Sequence, residues 1–311
     1  VLKSEIKDAG KKAIDENQNK YTPVSGISEL KKAIILKLKR DHCLDYKENE
    51  IIVSTGAKQS LFNLIGVLAN PGDEFIIIKP YWVSYAEQIR FFDAVPVIAE
   101  SGENFEITSE LIEQKITPKT KAIIINSPCN PSGAVIEEKE LQKISELAVK
   151  NDLYLISDEI YEYLIYEGKH RSIAELSDDT KQRTIIINGC SKAYSMTGLR
   201  IGYATGPSNI IKLMDNFQGQ VTSSPNSVAQ HMAVKALNLT KDDYLQEITE
   251  FKEKRNLVLS ALKSAGITVK GANGAFYVFF KIPDGQTSEE FCEQLLLQEK
   301  VALVPGSAFG M

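Results

Sequence analysis

Lys192 and Arg200 stand eight residues apart in the run Gly189-Cys190-Ser191-Lys192-Ala193-Tyr194-Ser195-Met196-Thr197-Gly198-Leu199-Arg200-Ile201-Gly202. The apolar, strand-like residues 184–187 deliver the lysine to a stretch of small turn formers. A lysine stripped of water has a lowered pKa, so its amine becomes a nucleophile able to form a Schiff base with a carbonyl. An aldehyde cofactor carrying a phosphate would need such a lysine, and an arginine to grip the phosphate in two places. Taken alone, the stretch fits a surface turn with two solvated cations equally well.

Other chemistry-bearing residues each follow a short apolar run. Ile51-Ile52-Val53-Ser54 leads through Thr55 to Gly56-Ala57-Lys58, where a glycine turn and a helix start would present free N–H groups to a phosphate; most such turns bind nothing. Residues 75–78 lead to Tyr81 and Trp82, the sole tryptophan, which could stack on a flat ring or fill a core. Tyr81 is the alternative stacking residue. Residues 122–126 run into Ser127-Pro128-Cys129-Asn130-Pro131-Ser132-Gly133, a stiff turn whose Asn130 amide could donate to an anionic oxygen or simply form the turn. Residues 153–157 precede Asp158-Glu159-Ile160-Tyr161. There the aspartate could hold the proton of a pyridine nitrogen, with Tyr161 on the same side of a helical turn, or it could be a helix N-cap.

The run from Gly189 to Gly202 resembles the cofactor-attachment signature of the class I and II aminotransferases, enzymes of fold type I that depend on pyridoxal 5'-phosphate (PLP). Gly189, Ser191, Lys192, Ser195, Gly198, Arg200 and Gly202 all meet that pattern. The resemblance extends over nearly the whole chain and is nearest to the bacterial aspartate aminotransferase group. It implies Lys192, Asp158 and Tyr161 as catalytic residues. It implies Gly56, Ala57, Lys58, Trp82, Asn130, Asp158, Tyr161, Lys192 and Arg200 as the cofactor site, with Trp82, Asn130 and Lys58 also facing substrate. Tyr21 is expected to reach the phosphate of the other subunit in a homodimer, although a tyrosine anchoring its own loop fits the residue as well. The implied activity moves an amino group between an amino acid, aspartate or another acidic one, and 2-oxoglutarate. Prephenate or aromatic amino acids, or a lyase reaction on the same fold, are the alternatives, and a PLP-binding regulator would need a basic DNA-binding extension.

The elements that must position these residues alternate between strand and helix. That alternation predicts an α/β large domain, residues 1–240, with a mostly parallel sheet covered by helices on both faces and ligands at the strands' carboxyl ends. A smaller α/β domain, residues 241–311, is expected after a long helix over 242–264, with strands at 276–280 and 301–304 around a helix at 288–299. Helices are also predicted over 2–17 and from Ser28, capped by that serine, and a polar interface loop over 218–226.

A chain of 311 residues, 43% hydrophobic with a net charge of −5, is sufficient for a large core and gives no basic footprint for nucleic acid or an anionic membrane. Its apolar runs are strand-length, and no membrane partner is expected. Cys43, Cys129, Cys190 and Cys292 lie far apart with no histidine at metal spacing, so no metal is expected and a reducing, cytoplasmic setting is. Val1 is not a start methionine, and the resembled family has substrate-clamping segments before Val1 and beyond Met311. These are expected to be mobile ends of an open small domain.

Overall fold

The structure, a computed structural model, describes every residue of the chain except Asp284. Seven strands form one sheet: β1 Ile51–Ser54, β2 Glu74–Lys79, β3 Val95–Glu100, β4 Thr120–Asn126, β5 Tyr154–Asp158, β6 Thr184–Gly189 and β7 Gly202–Thr205. Their order is β1-β7-β6-β5-β4-β2-β3. The β2–β3, β2–β4, β4–β5 and β5–β6 pairs are parallel, whereas β7 runs antiparallel to both β6 and β1. Six strands therefore point one way, and their carboxyl ends share one edge.

The apolar runs make this sheet because both of its faces are covered. Ile52, Phe75, Ile77, Ile124, Ile156, Ile185, Ile187 and Ala204 enter one core with the helices Ala57–Leu68 and Ser208–Val221. Alternate residues Ile76, Ile123, Ile125 and Leu155 enter a second core with the helix Glu138–Lys150, and Ile51, Val53, Ile186 and Tyr203 a third. With side chains alternating across the pleat, the inner strands stay mostly apolar until near their carboxyl ends.

Several sequence expectations change in three dimensions. The helix at Ser28–His42 starts on Ile27, and the Ser28 hydroxyl donates to Glu48 instead of capping. Residues 218–221 continue the helix Ser208–Val221, where the Gln218 amide donates to the carbonyls of Val24 and Val53, and Asn226 caps the helix Ser227–Leu237. Glu159 to Tyr163 form a turn and not a helix. The helices Leu245–Ser264 and Ser288–Glu299 form as expected. Residues 276–280 and 301–304 do not form strands: Phe280 makes a single isolated bridge to Val269, and a strand needs a neighbour along its length. Among the described residues none beyond Ala275 is buried. No helix among them is long and apolar enough to cross a membrane.

The reversed strand β7 matters for the site. Gly202 pairs with Ser54 of β1 and Gly189 of β6, and a Cβ on Gly202 would overlap the Ala57 nitrogen and the Gly56 carbonyl carbon. Only glycine lets β7 pass beneath the turn that starts the next helix. Gly202→Ala should therefore cost about 1–3 kcal/mol through overpacking. Urea unfolding measures this, and an unchanged midpoint would contradict the close approach.

Candidate active site

The residues that follow β1, β2, β4, β5 and β6 converge at the shared edge. Ala57, Lys58, Trp82, Asn130, Asp158, Tyr161, Lys192 and Arg200 line one cavity of about 240 Å³. Gly56 stands behind it, with a positive φ of 85°, and a Cβ there would collide with the Arg200 guanidinium. Tyr21 lies outside the cavity and is 93% exposed. Tyr81 also lies outside it and packs against Gly310, so the tryptophan and not the tyrosine forms the wall.

Lys192 sits two residues past Cys190 in a turn closed by the Ser195 N–H on the Lys192 carbonyl, 3.3 Å. Burial lowers its pKa, and the nearby positive charge of Arg200 lowers it further. Arg200 has a left-handed backbone, φ 55°, and donates to the Thr197 carbonyl at 3.0 Å. Lys58 Nζ lies 4.9 Å from the Trp82 ring centroid, a cation at the cavity wall.

Asp158 ends β5 in a buried position. Its Oδ2 accepts the Tyr85 hydroxyl at 2.6 Å, and its Oδ1 accepts the Ile160 N–H at 3.3 Å. The backbone bond is the local contact expected of a capping aspartate, but no helix follows it. Burial pushes the carboxyl up to about 6, with Tyr85 and the Ile160 N–H opposing the rise. Asn126 holds this corner: its amide donates to the Asp158 carbonyl at 3.0 Å, and its Oδ1 accepts the Asn130 N–H at 2.7 Å.

Tyr85, Asn126, Ile160, Ser191, Thr197 and Tyr277 also line the cavity and were not expected there. Tyr85 could have been found, since it lies three residues beyond Trp82 at helical spacing. Tyr277 carried no local signal, because it comes from a distant part of the chain. Its hydroxyl meets Tyr161 Oη at 2.7 Å and accepts from Asn130 Nδ2 at 3.3 Å.

Behind Asp158 and Tyr161, Glu159 and Glu162 turn to the opposite side. With His42 and His170 they form a buried group whose ligand-type atoms lie within 4.8 Å of one another, which the sequence spacing did not suggest. Protein partners already answer these charges. Glu162 meets Lys37, His42 at 2.7 Å and Asn188 at 2.8 Å, and Glu159 accepts from Ser157 at 2.8 Å and Ser172 at 2.7 Å. Burial opposes charge on His42, but its bonds to Glu162 and Glu175 outweigh that and hold it up at about 10.

The sequence profile of the family described as aminotransferase class I and II matches residues 2–311. The chain belongs to this family. It is 46% identical to the aspartate aminotransferase of Geobacillus stearothermophilus, an alignment covering 98% of this chain and 80% of the relative. It is 40% identical to the aspartate/prephenate aminotransferase of Thermus thermophilus, over 98% of this chain and 80% of that one. Among solved structures, the Thermus thermophilus aspartate aminotransferase with maleate superposes with a TM-score of 0.95 at 39% identity, covering 99% and 81% of the two chains. The aromatic aminotransferase of Pyrococcus horikoshii gives 0.96 at 38%, covering 100% and 85%.

As an aminotransferase of this family the protein depends on PLP. The donors present fit that group. A phosphate dianion suits the Arg200 guanidinium over Gly56 together with the free N–H groups that open the helix at Ala57. A pyridinium suits the buried Asp158, whose hydrogen bonds come from Tyr85 and one backbone N–H, with the Lys192 charge acting on it without a direct bond.

That mismatch is measurable in the cofactor-free aminotransferase. A carboxyl raised from 3.8 to about 6 by folding favours the folded state most below pH 3.8, and that advantage is lost as pH climbs through 6. At neutral pH the buried carboxylate then costs of order 3 kcal/mol. Asp158→Asn should stabilise the apo protein by up to that amount above pH 7 and by little at pH 4. Chemical denaturation at the two pH values tests this, and a pH-independent effect would mean that the carboxylate is well solvated.

Proposed function

We propose that this aminotransferase moves an amino group between an acidic amino acid, aspartate foremost, and 2-oxoglutarate. The observation carrying this reading is the convergence of Lys192, Arg200, Asp158, Tyr161, Asn130 and Trp82 on one cavity from separate strand ends, with Lys58 adding a cation at its wall. The names of the relatives, aspartate and aspartate/prephenate aminotransferase, point to the same acidic class.

PLP, when bound, supplies an electron sink for the bonds of the substrate's α-carbon. The chain supplies the rest. Arg200 and the amides at Ala57 and Lys58 hold the phosphate, and Trp82 bounds one face of the ring. Asp158 keeps a proton on the ring nitrogen, and Tyr161 and Asn130 donate to the phenolic oxygen. Lys192 Nζ, with its lowered proton affinity, would take the proton from the substrate's α-carbon and return it two bonds away, on the far side of the amino nitrogen. Lys58, a cation at the cavity wall, would meet a distal carboxylate.

Tyr21, held out of its own cavity and 93% exposed, suits the role of completing the phosphate site of a second copy in a homodimer. We assign residues 1–240 to the cofactor-binding domain and 241–311 to a smaller one, supported by the lack of buried positions past Ala275 among the described residues. Four free cysteines, two of them buried, agree with a reducing cytoplasm.

Two experiments test the reading. The protein with PLP should show a visible band that aspartate discharges, with an oxo acid released, whereas Lys192→Ala should lose both. A band indifferent to aspartate and glutamate but discharged by an aromatic amino acid would move the substrate class. Lys58→Ala should raise KM for aspartate by about ten- to a hundredfold, the loss of one charge-assisted bond. Its KM for an uncharged amino acid should change little, and equal losses on both would make Lys58 a phosphate ligand only.

A further inference from the structure

Tyr277 approaches the cavity from a segment fastened to two of the site's own turns. The Ala272 and Gly274 N–H groups donate to the carbonyls of Ser132 and Gly133, at 2.9 and 2.8 Å, just past Asn130. The Ala275 N–H donates to the Leu164 carbonyl at 2.8 Å, just past Tyr161. The tyrosine ring then stands edge-on to Tyr161, with centroids 5.7 Å apart. Its position is thus set by the same backbone that carries the two donors it touches.

One of the two hydrogen-bond directions follows from donor chemistry. The Asn130 amide nitrogen can only donate, so the Tyr277 oxygen is the acceptor of that bond. The Tyr161–Tyr277 bond, 2.7 Å, can run either way, because a hydroxyl oxygen accepts twice. Burial raises the pKa of both phenols, so both keep their protons. Once an anion in the cavity takes the Tyr161 proton, Tyr277 is left to donate to Tyr161 Oη, and the second Asn130 amide proton is free for the same anion.

We propose that Tyr277 is a positioning residue for this end of the site, aiming the Tyr161 hydroxyl and the Asn130 amide at a single anionic oxygen of the bound cofactor. The inference rests on the reading of the cavity as a PLP site. A hydroxyl that itself accepts a hydrogen bond is a stronger donor, so Tyr277 strengthens the bond that Tyr161 makes to the anion. The better that anion is stabilised, the less tightly the neighbouring lysine-bound nitrogen holds its proton. The other titratable groups lining the cavity are Asp158, Tyr85, Lys192, Arg200 and Lys58, whereas the Tyr277 hydroxyl bonds to Asn130 and Tyr161.

The test is a pH titration of the visible band of the holoenzyme. Tyr277→Phe keeps the ring packing and removes the hydroxyl. It should move the midpoint up by roughly half to one pH unit, about three- to tenfold tighter proton binding, and weaken PLP binding by a similar factor. In a Tyr161→Phe background the same change should have only a minor effect. An unmoved midpoint, or an undiminished shift in that background, would overturn the proposal and leave Tyr277 a packing residue. If the unaltered protein forms no band, the cofactor reading falls, and this inference with it. Should Tyr277→Phe fold poorly, Tyr277→His, which keeps a donor, should titrate closer to the unaltered protein; a midpoint shifted upward by half a unit or more would overturn the proposal.

Discussion

A carboxylate buried at the end of a parallel strand is the constraint around which this protein is built. Asp158 leaves a sheet whose two faces are apolar, and its charge is met by one phenol and one backbone N–H. Such a group is costly without a cationic partner. The surrounding elements keep it there all the same: β4 and β6 flank β5 in register, and Asn126, directly opposite on β4, ties down the Asp158 carbonyl. Lys192 acts on this charge without a direct hydrogen bond, so the carboxylate still has room for a closer cationic partner.

The turn after Asp158 is held from behind by a second set of charges. Asp158 and Tyr161 face the cavity, while Glu159 and Glu162 face Lys37, His42 and His170. Lys37 has no exposed side-chain surface, and its partner Glu162 is held well below the usual carboxylate range: burial would raise it, but Lys37 and His42 outweigh that. Ion networks of this kind stabilise little in sum, because desolvation offsets the attraction, but they fix geometry because any displacement leaves a charge unpaired. Here they tie the helix Ser28–His42 to the back of the site.

The reversed strand β7 brings Arg200 back to the first βα turn. Without that reversal Arg200 and Gly56, 144 positions apart in sequence, would have no reason to meet. The close passage under Ala57 explains why the signature around Lys192 ends in a glycine.

Strand ends were legible in the sequence because a strand buried on both faces must be a continuous apolar run, and the residue breaking that run marks its carboxyl end. Gly56, Trp82, Asn130, Asp158 and Lys192 could all be placed on that basis, and the resemblance carried by residues 189–202 supplied their chemistry. The edge strand β3 and the reversed β7 were not anticipated, since Val95–Glu100 contains a proline and charge, and Gly202–Thr205 is short. Two apolar runs, 276–280 and 301–304, have strand composition without strand structure, because β structure depends on a neighbour that local sequence does not encode. Tyr277 and the Lys37, His42, Glu162 network depended on distance in space alone. The sequence by itself therefore determined which residues carry charge, nucleophile and turn. The tertiary structure decided which of them share a cavity and which face away, because hydrogen bonds and burial act over a few ångströms, whatever the separation along the chain.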